Sequence, residues 1–270
     1  MSDQAAQRFP TIYLTHGGGP CFFMDWDPAD TWDGLRAGLE SIRTLLPSPP
    51  RAIVCISAHW EEAPIAVEVG ERPELVFDYY GFPPHTYELT YPAPGDPALA
   101  ARVLDLLTGA GLAAQPAGRG WDHGVFVPLK VAYPEAEIPL VAVSLQAGLD
   151  PAAHLAMGAA LAPLRDEGVL LIGSGSSFHN LRAWGPVGAA SAKEFDDWLQ
   201  DVLPAGGERR ARELRDWSAA PGARIAHPRE EHLLPLHVVA GAAGDEPGRA
   251  FLDEPVMGMQ MSCWIFGESA

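Results

Sequence analysis

The sequence is short of cysteine. It has three, Cys21, Cys55 and Cys263, an odd number with no CxxC pair. That excludes a disulfide framework and a cysteine-built zinc site, and reduced structural thiols are the expectation. Positive charge is scarce as well, with 18 Lys and Arg against 35 Asp and Glu and a formal net charge of −17. A face that binds nucleic acid or anionic membrane needs clustered basic side chains, so neither is an expected partner. The acidic residues are spread along the chain, which argues against a disordered acidic tail. No apolar run reaches 18 residues, and the opening MSDQAAQRFP lacks the basic start and apolar segment of a secretion signal. The cytoplasm is the expected location.

Nucleotide and serine-hydrolase motifs are missing too. Gly17-Gly18-Gly19-Pro20 belongs to no GxGxxG fingerprint and precedes no Walker-type lysine. Gly173-Ser174-Gly175-Ser176-Ser177 does not fit GxSxG. No internal repeat is found, and the Pro/Gly-rich pieces are too short to mark a linker, so residues 1–270 are expected to form one domain.

What is present is a strong alternation of short apolar runs and helical stretches. Thr11–Leu14, Ala52–Ser57, Leu140–Val143 and Val169–Gly173 are β-branched, apolar and bounded by Gly, Ser or Pro, as buried central strands tend to be. Between them, Trp32–Leu46, Pro97–Ala110, Pro151–Arg165 and Ala192–Leu203 have helical periodicity, several opened by Asp, Pro or Ser. This order predicts an α/β fold with a mainly parallel or mixed sheet covered by helices on both faces. Val256–Phe266 reads as a half-buried strand at the sheet edge. Phe77–Gly95, rich in Pro and aromatics, reads as a long ordered loop of the kind that lines binding sites.

The nine histidines are unevenly placed. His16 follows the first apolar run, His59 the second, and His179 the fourth, each inside a Gly- or Ser-rich turn. The carboxyl ends of parallel strands converge where ligands of open α/β folds bind, so three imidazoles can meet there. His232, just ahead of a helix expected to begin near Pro235, adds a fourth. A histidine and carboxylate set without thiolate suits Zn, Fe or Mn; Glu61, Glu230 and Glu231 are the nearby carboxylates. His123, in Gly120-Trp121-Asp122-His123-Gly124, is a candidate general acid or base, with Asp122 placed to orient it. A lone histidine is more often structural than functional. That reading is applied to His85, to His154, expected on an exposed helix face, and to His237, expected in helix packing; His227 is left open, a His-Pro turn being sufficient reason for it.

Several motifs together resemble one family. Thr15-His16-Gly17-Gly18-Gly19-Pro20, Ser57-Ala58-His59-Trp60-Glu61, Asp78-Tyr79-Tyr80-Gly81-Phe82-Pro83, Gly120-Trp121-Asp122-His123-Gly124, the run Gly173 to Leu181, and Glu231-His232 occur in order. The set is similar to the class III (LigB-type) extradiol dioxygenases, in particular the 4,5-DOPA dioxygenase branch. The resemblance implies a non-haem Fe(II) enzyme that opens a catechol ring beside its two hydroxyls, using O2. It implies metal ligation by His16, His59 and His232. His179 would be an acid/base close to the metal, able to complete a four-histidine shell when zinc replaces iron. His123 would be a second acid/base or hydroxyl-binding group. The broader superfamily uses two histidines and a carboxylate, so either His232 or Glu231 is open as the third ligand. Residues Tyr79–Tyr91 would form an aromatic wall over the ring, and Arg119 and Arg182 are the basic side chains available to a substrate carboxylate.

Two other functions use the same residues. A zinc hydrolase would activate water with the same histidines, and a non-enzymatic binding protein would share the fold without the oxygenase activity. Retention of both His123 and His179 argues against the latter.

Overall fold

In a computed structural model, which describes residues 8–267, eight strands form one mixed sheet in the order β4-β3-β5-β2-β6-β1-β8-β7. These are β1 Thr11–Thr15, β2 Ala52–Glu62, β3 Ile65–Glu68, β4 Ala114–Ala117, β5 Leu140–Gln146, β6 Val169–Gly175, β7 Gly248–Val256 and β8 Met259–Phe266. The central strands β5, β2, β6 and β1 run parallel, and β8 and β7 close one side antiparallel. The four central strands are those read from the sequence.

Successive side chains of a strand point to opposite faces, and the central strands use both. On β2, Ile53 and Cys55 enter one apolar core while Ala52, Val54 and Ile56 enter the other. On β6, Leu170 and Ile172 oppose Val169 and Leu171 in the same way. A strand buried on both faces must be apolar at every position, which is why these runs do not alternate.

Helices cover both faces: α1 Asp33–Leu45, α2 Pro97–Gly109, α3 His123–Ala132, α4 Pro151–Leu161, α5 Pro186–Val202, α6 Gly207–Arg215, the single turn α7 Ala223–Ala226, and α8 Leu234–Ala243. α2 and α4 start where the sequence signals it. Asp96 caps α2 by accepting from the Leu99 N–H, Asp150 caps α4 by accepting from the Ala152 N–H, and proline follows each cap. α1 buries Leu35, Gly38, Leu39 and Ile42, a stripe at helical spacing.

Three expectations are corrected. The last strand does not lie at the edge: β8 pairs with β1 on one side and β7 on the other, so β7 takes the edge. His154 is not exposed but fully buried, its Nδ1 bonded to the Asp150 carbonyl and its Nε2 accepting from the Gln146 N–H. The second strand does not stop before His59. It runs to Glu62 through a register shift between Ser57 and Glu61, so His59 sits inside the irregular stretch.

α5 carries a titratable group away from the site. Asp196 is buried and accepts from Ser262 Oγ at 2.6 Å. Burial, opposed in part by that bond and reinforced by Asp253, raises its carboxyl from 3.8 to about 6. The folded chain then holds a proton that the unfolded chain releases between about pH 4 and 6. Stability from this group is therefore full below pH 3.8 and lost as pH rises through about 6. Asp196→Asn should flatten that decline, gaining on the order of 2 kcal/mol over the parent between pH 4 and 7 in denaturant melts. Equal pH profiles for the two proteins would contradict it.

Candidate metal and ring-binding site

His16 directly follows β1. Its backbone N–H continues the parallel ladder to the Gly175 carbonyl at 3.0 Å, and its Nδ1 lies 3.1 Å from Ser174 Oγ on β6. Ser174 gives its own proton to the Gly124 carbonyl. It must therefore accept from His16, which fixes the proton on Nδ1 and leaves Nε2 bare.

His232 reaches the same point from the turn before α8. β6 and this turn are in backbone contact: Ser176 N–H donates to the His232 carbonyl at 3.0 Å, and Tyr13 Oη donates to it at 2.9 Å. A Cβ at Gly175 would collide with that carbonyl, and one at Gly173 with the carbonyl of Pro235. Two glycines on β6 thus let a helix start approach closely enough to deliver a side chain. Gly175→Ala should cost about 1–3 kcal/mol by overpacking and weaken cation binding by displacing His232. Unaltered cation affinity in a destabilised Gly175→Ala protein would show that the approach serves the fold alone.

The Nε2 atoms converge. His16 and His59 are 3.1 Å apart at Nε2, and His59 and His232 3.2 Å. Burial first, then the neighbouring imidazoles, holds His16 and His59 well below the ordinary histidine range. Burial brings His232 down to about 4, against the pull of its bond to Glu231. All three are neutral at neutral pH, the form that ligates metals. His16 and His232, whose Nδ1 atoms face Ser174 Oγ and Glu231 Oε1, turn their Nε2 lone pairs toward His59 Nε2, an arrangement that suits a cation between them. Two nitrogens each about 2.0–2.1 Å from one ion stand roughly 3–3.4 Å apart, so the spacing fits a metal.

The outer nitrogens have partners of the kind that orient metal-bound histidines. His232 Nδ1 lies 3.0 Å from Glu231 Oε1, and His59 Nδ1 lies 3.6 Å from Asp78 Oδ2. By proximity alone the ligand atoms fall into two groups within 4.8 Å, one of His16, His59 and His123, the other of His179, Glu231 and His232. The Nε2 contacts of His59 join the two.

His123 opens α3. Its backbone N–H and its Nδ1 both reach Asp78 Oδ1, at 2.9 and 2.8 Å. Burial opposes ionisation of Asp78, but these bonds from His123 hold it below its usual value. The orienting carboxylate is thus Asp78. Asp122 instead accepts from Ser57 Oγ at 2.7 Å and Arg119 Nη1 at 2.5 Å, beneath the strand that carries His59. Burial raises Asp122 despite these two partners. His179 stacks on His232 with ring centroids 3.3 Å apart, and its Nδ1 is 3.3 Å from Glu231 Oε1. Glu231 is held far below its ordinary range: burial opposes this, but bonds from His179 and His232 outweigh it. Its other oxygen lies 3.3 Å from Arg229, which forks onto Glu61 at 2.5 and 2.6 Å.

Asp78 and Glu231 were thus the residues whose orienting roles the sequence reading missed or left as alternatives. The signal for Asp78 was an acid heading the aromatic loop. The remaining histidines lie elsewhere. His227 is buried, its Nε2 2.9 Å from the Ser177 carbonyl, and burial lowers it to about 3. His237 is buried between the carbonyls of Leu233 and Leu214. His85 contacts the Phe23 carbonyl at the surface.

His16, His59, His123, His179 and His232 open into one cavity of about 510 Å³. From the expected aromatic loop, Tyr79, Tyr80 and Phe82 line it, whereas Tyr91 is buried in the core. A second cavity of about 480 Å³, beside Arg43 and Tyr133, is lined by no histidine.

Residues 10–261 match the family described as the catalytic LigB subunit of aromatic ring-opening dioxygenase. The chain is 39% identical to the dioxygenase tasH of Hapsidospora irregularis, with 96% of this chain and 86% of that one covered. It is 41% identical to the 4,5-DOPA dioxygenase extradiol of Beta vulgaris, with 87% of each covered. A crystal structure of an uncharacterized protein from Escherichia coli K12 superposes with a TM-score of 0.77 at 32% identity, covering 96% of this chain and all of that one.

Proposed function

This chain belongs to the LigB family of aromatic ring-opening dioxygenases and is an extradiol ring-cleaving enzyme, and from that premise we propose that it works with non-haem Fe(II) on a catechol-type substrate, His16, His59 and His232 being the ligands. The observation that carries the proposal is the convergence of three histidine Nε2 atoms at 3.1 and 3.2 Å. His232 is preferred over Glu231 as third ligand because the Glu231 carboxylate already accepts from His232 and His179. His123, tied to Asp78, is preferred as a proton carrier. DOPA, which names several relatives, is one catechol of the class.

The metal would supply a place where both catechol oxygens and O2 meet, since three protein ligands leave open positions. The side chains supply the proton handling. A catechol hydroxyl must lose its proton to bind as an anion, and an imidazole acts as base without a large pKa shift. His123 and His179 both hold Nδ1 against a carboxylate, Asp78 and Glu231 respectively, which leaves each Nε2 able to accept that proton. The same nitrogen returns it to oxygen as the ring opens. Atoms balance as catechol plus O2 giving one ring-opened product, with no outside reductant. Tyr79 and Phe82, set edge to face at 5.4 Å, provide an apolar wall that excludes water.

The test is oxygen consumption with simultaneous absorbance scans. Protein loaded anaerobically with Fe(II), and separately with Zn(II), would be given a panel of catechols that includes DOPA. Iron-dependent uptake matched one to one by a coloured ring-opened product is the expected result. No uptake across the panel from fully iron-loaded protein would move the reading to a zinc hydrolase or a binding protein.

A further inference from the structure

We infer that, within the ring-opening reading above, the cavity selects catechols bearing an apolar, uncharged substituent over those bearing a carboxylate, DOPA included. Among the described residues, no lysine or arginine lines the cavity. The two expected candidates do not change this. Arg119 spends its guanidinium on Asp122 and on the His59 carbonyl at 3.0 Å, lying over the Trp60 ring. Arg182 is exposed on the turn after His179 and is not part of the lining. Arg229, near the histidines, is forked onto Glu61. Meanwhile Asp78 does line the cavity, and the chain carries a formal charge of −17. A carboxylate on the substituent, leaving water away from the metal-binding end, would meet like charge and no cationic side chain, which is costly.

The mouth points the same way. Of the six exposed large apolar side chains among the described residues, four lie on the rim: Tyr80 at 91% exposure, Leu181 at 75%, Trp184 and Met257. They come from three separate segments, namely the aromatic loop, the turn after His179 and the tip of the β7–β8 hairpin. Clustered exposed apolar groups beside a concave site mark a binding surface more often than scattered ones do. A cavity of about 510 Å³ also falls in the range, roughly 300–1,000 Å³, that takes ligands much larger than a bare catechol. The ring would sit at the histidines and its substituent would run out along Trp26, Trp184 and Leu181.

The test uses a pair matched in length: 4-propylcatechol and 3-(3,4-dihydroxyphenyl)propanoate. Affinity is measured by anaerobic calorimetry on iron-loaded protein, and kcat/KM by oxygen uptake. The neutral compound should win by about tenfold or more in both, a difference of about 1.4 kcal/mol. Leu181→Arg should narrow the gap by improving the acid, and added salt should reopen it. An acid that binds as well as or better than the propyl compound overturns the inference, and loss of that advantage in Arg182→Ala would name the cation responsible. Acid preference with vigorous oxygen uptake sinks this inference and leaves the ring-opening reading intact. Tighter binding of the propyl compound without oxygen uptake from any catechol supports the inference and sinks that reading.

Discussion

His59→Ala should abolish oxygen uptake and release the metal while leaving the fold in place. His59 Nε2 stands between the other two, 3.1 Å from His16 and 3.2 Å from His232, so its removal leaves two ligands that share no third. Activity should fall by at least about 10³-fold, in line with losing both the site's Lewis acid and its substrate anchor. The stability result has a definite sign. The His59 ring lines the open cavity and not the apolar core, so its removal should cost the metal-free protein little. Metal at a thousandfold excess over its Kd stabilises the parent by about 4 kcal/mol, which for a chain of this size is roughly 10 °C in Tm. The variant should lose that shift. An iron-loaded His59→Ala protein that retains both the stoichiometric metal and the Tm gain would refute the ligand assignment.

His179→Ala and His123→Ala should behave differently, with metal retained and kcat reduced by about 10²- to 10⁴-fold, the usual worth of a positioned proton carrier. Each side chain is tied through Nδ1 to a carboxylate and lines the cavity. The two differ in how they are held. His123 has its own carboxylate in Asp78, whereas His179 shares Glu231 with His232 and stacks on its ring. Loss of His179 therefore leaves Glu231 to His232 and Arg229, and metal affinity should move by less than about tenfold. Metal content by elemental analysis, read beside kcat, separates the two classes of residue. Full loss of iron in His179→Ala would place it among the ligands.

The central sheet was legible because a strand buried on both faces is apolar at every position, and β1, β2, β5 and β6 are such strands. The flanking strands were not. β4 and β7 lie at the two edges, and each contains a proline, Pro116 and Pro255. Edge positions tolerate proline and half-polar composition, which erases the periodic signal. β3 is four residues long and joins β5 through a single pairing, Val67 with Val143. With no signal for β7, the sequence places β8 at the edge.

At the site, the five histidines stand out in the sequence because they lie beside apolar runs and Gly- or Ser-rich pieces, and the fold gathers them around one cavity. Their partners were harder to see. Asp78 reaches His123 across 45 positions, and the Glu231 that meets His179 follows it by 52, so only the sheet topology puts them together. The choice of Asp122 to orient His123 followed adjacency in sequence. At the start of a helix, however, neighbouring side chains diverge, and Asp122 turns to Ser57 and Arg119 instead. His154 is buried against expectation because its helix is apolar over most of its surface and packs against α8, leaving little polar face to expose.

The most direct measurement is mass spectrometry of the product formed under ¹⁸O₂ by iron-loaded protein from a catechol of the preferred class. Both labelled atoms should enter the product, and the ring should open at the carbon–carbon bond beside the hydroxyl pair. Cleavage between the two hydroxyls, or a product whose new oxygen comes from water, would contradict it.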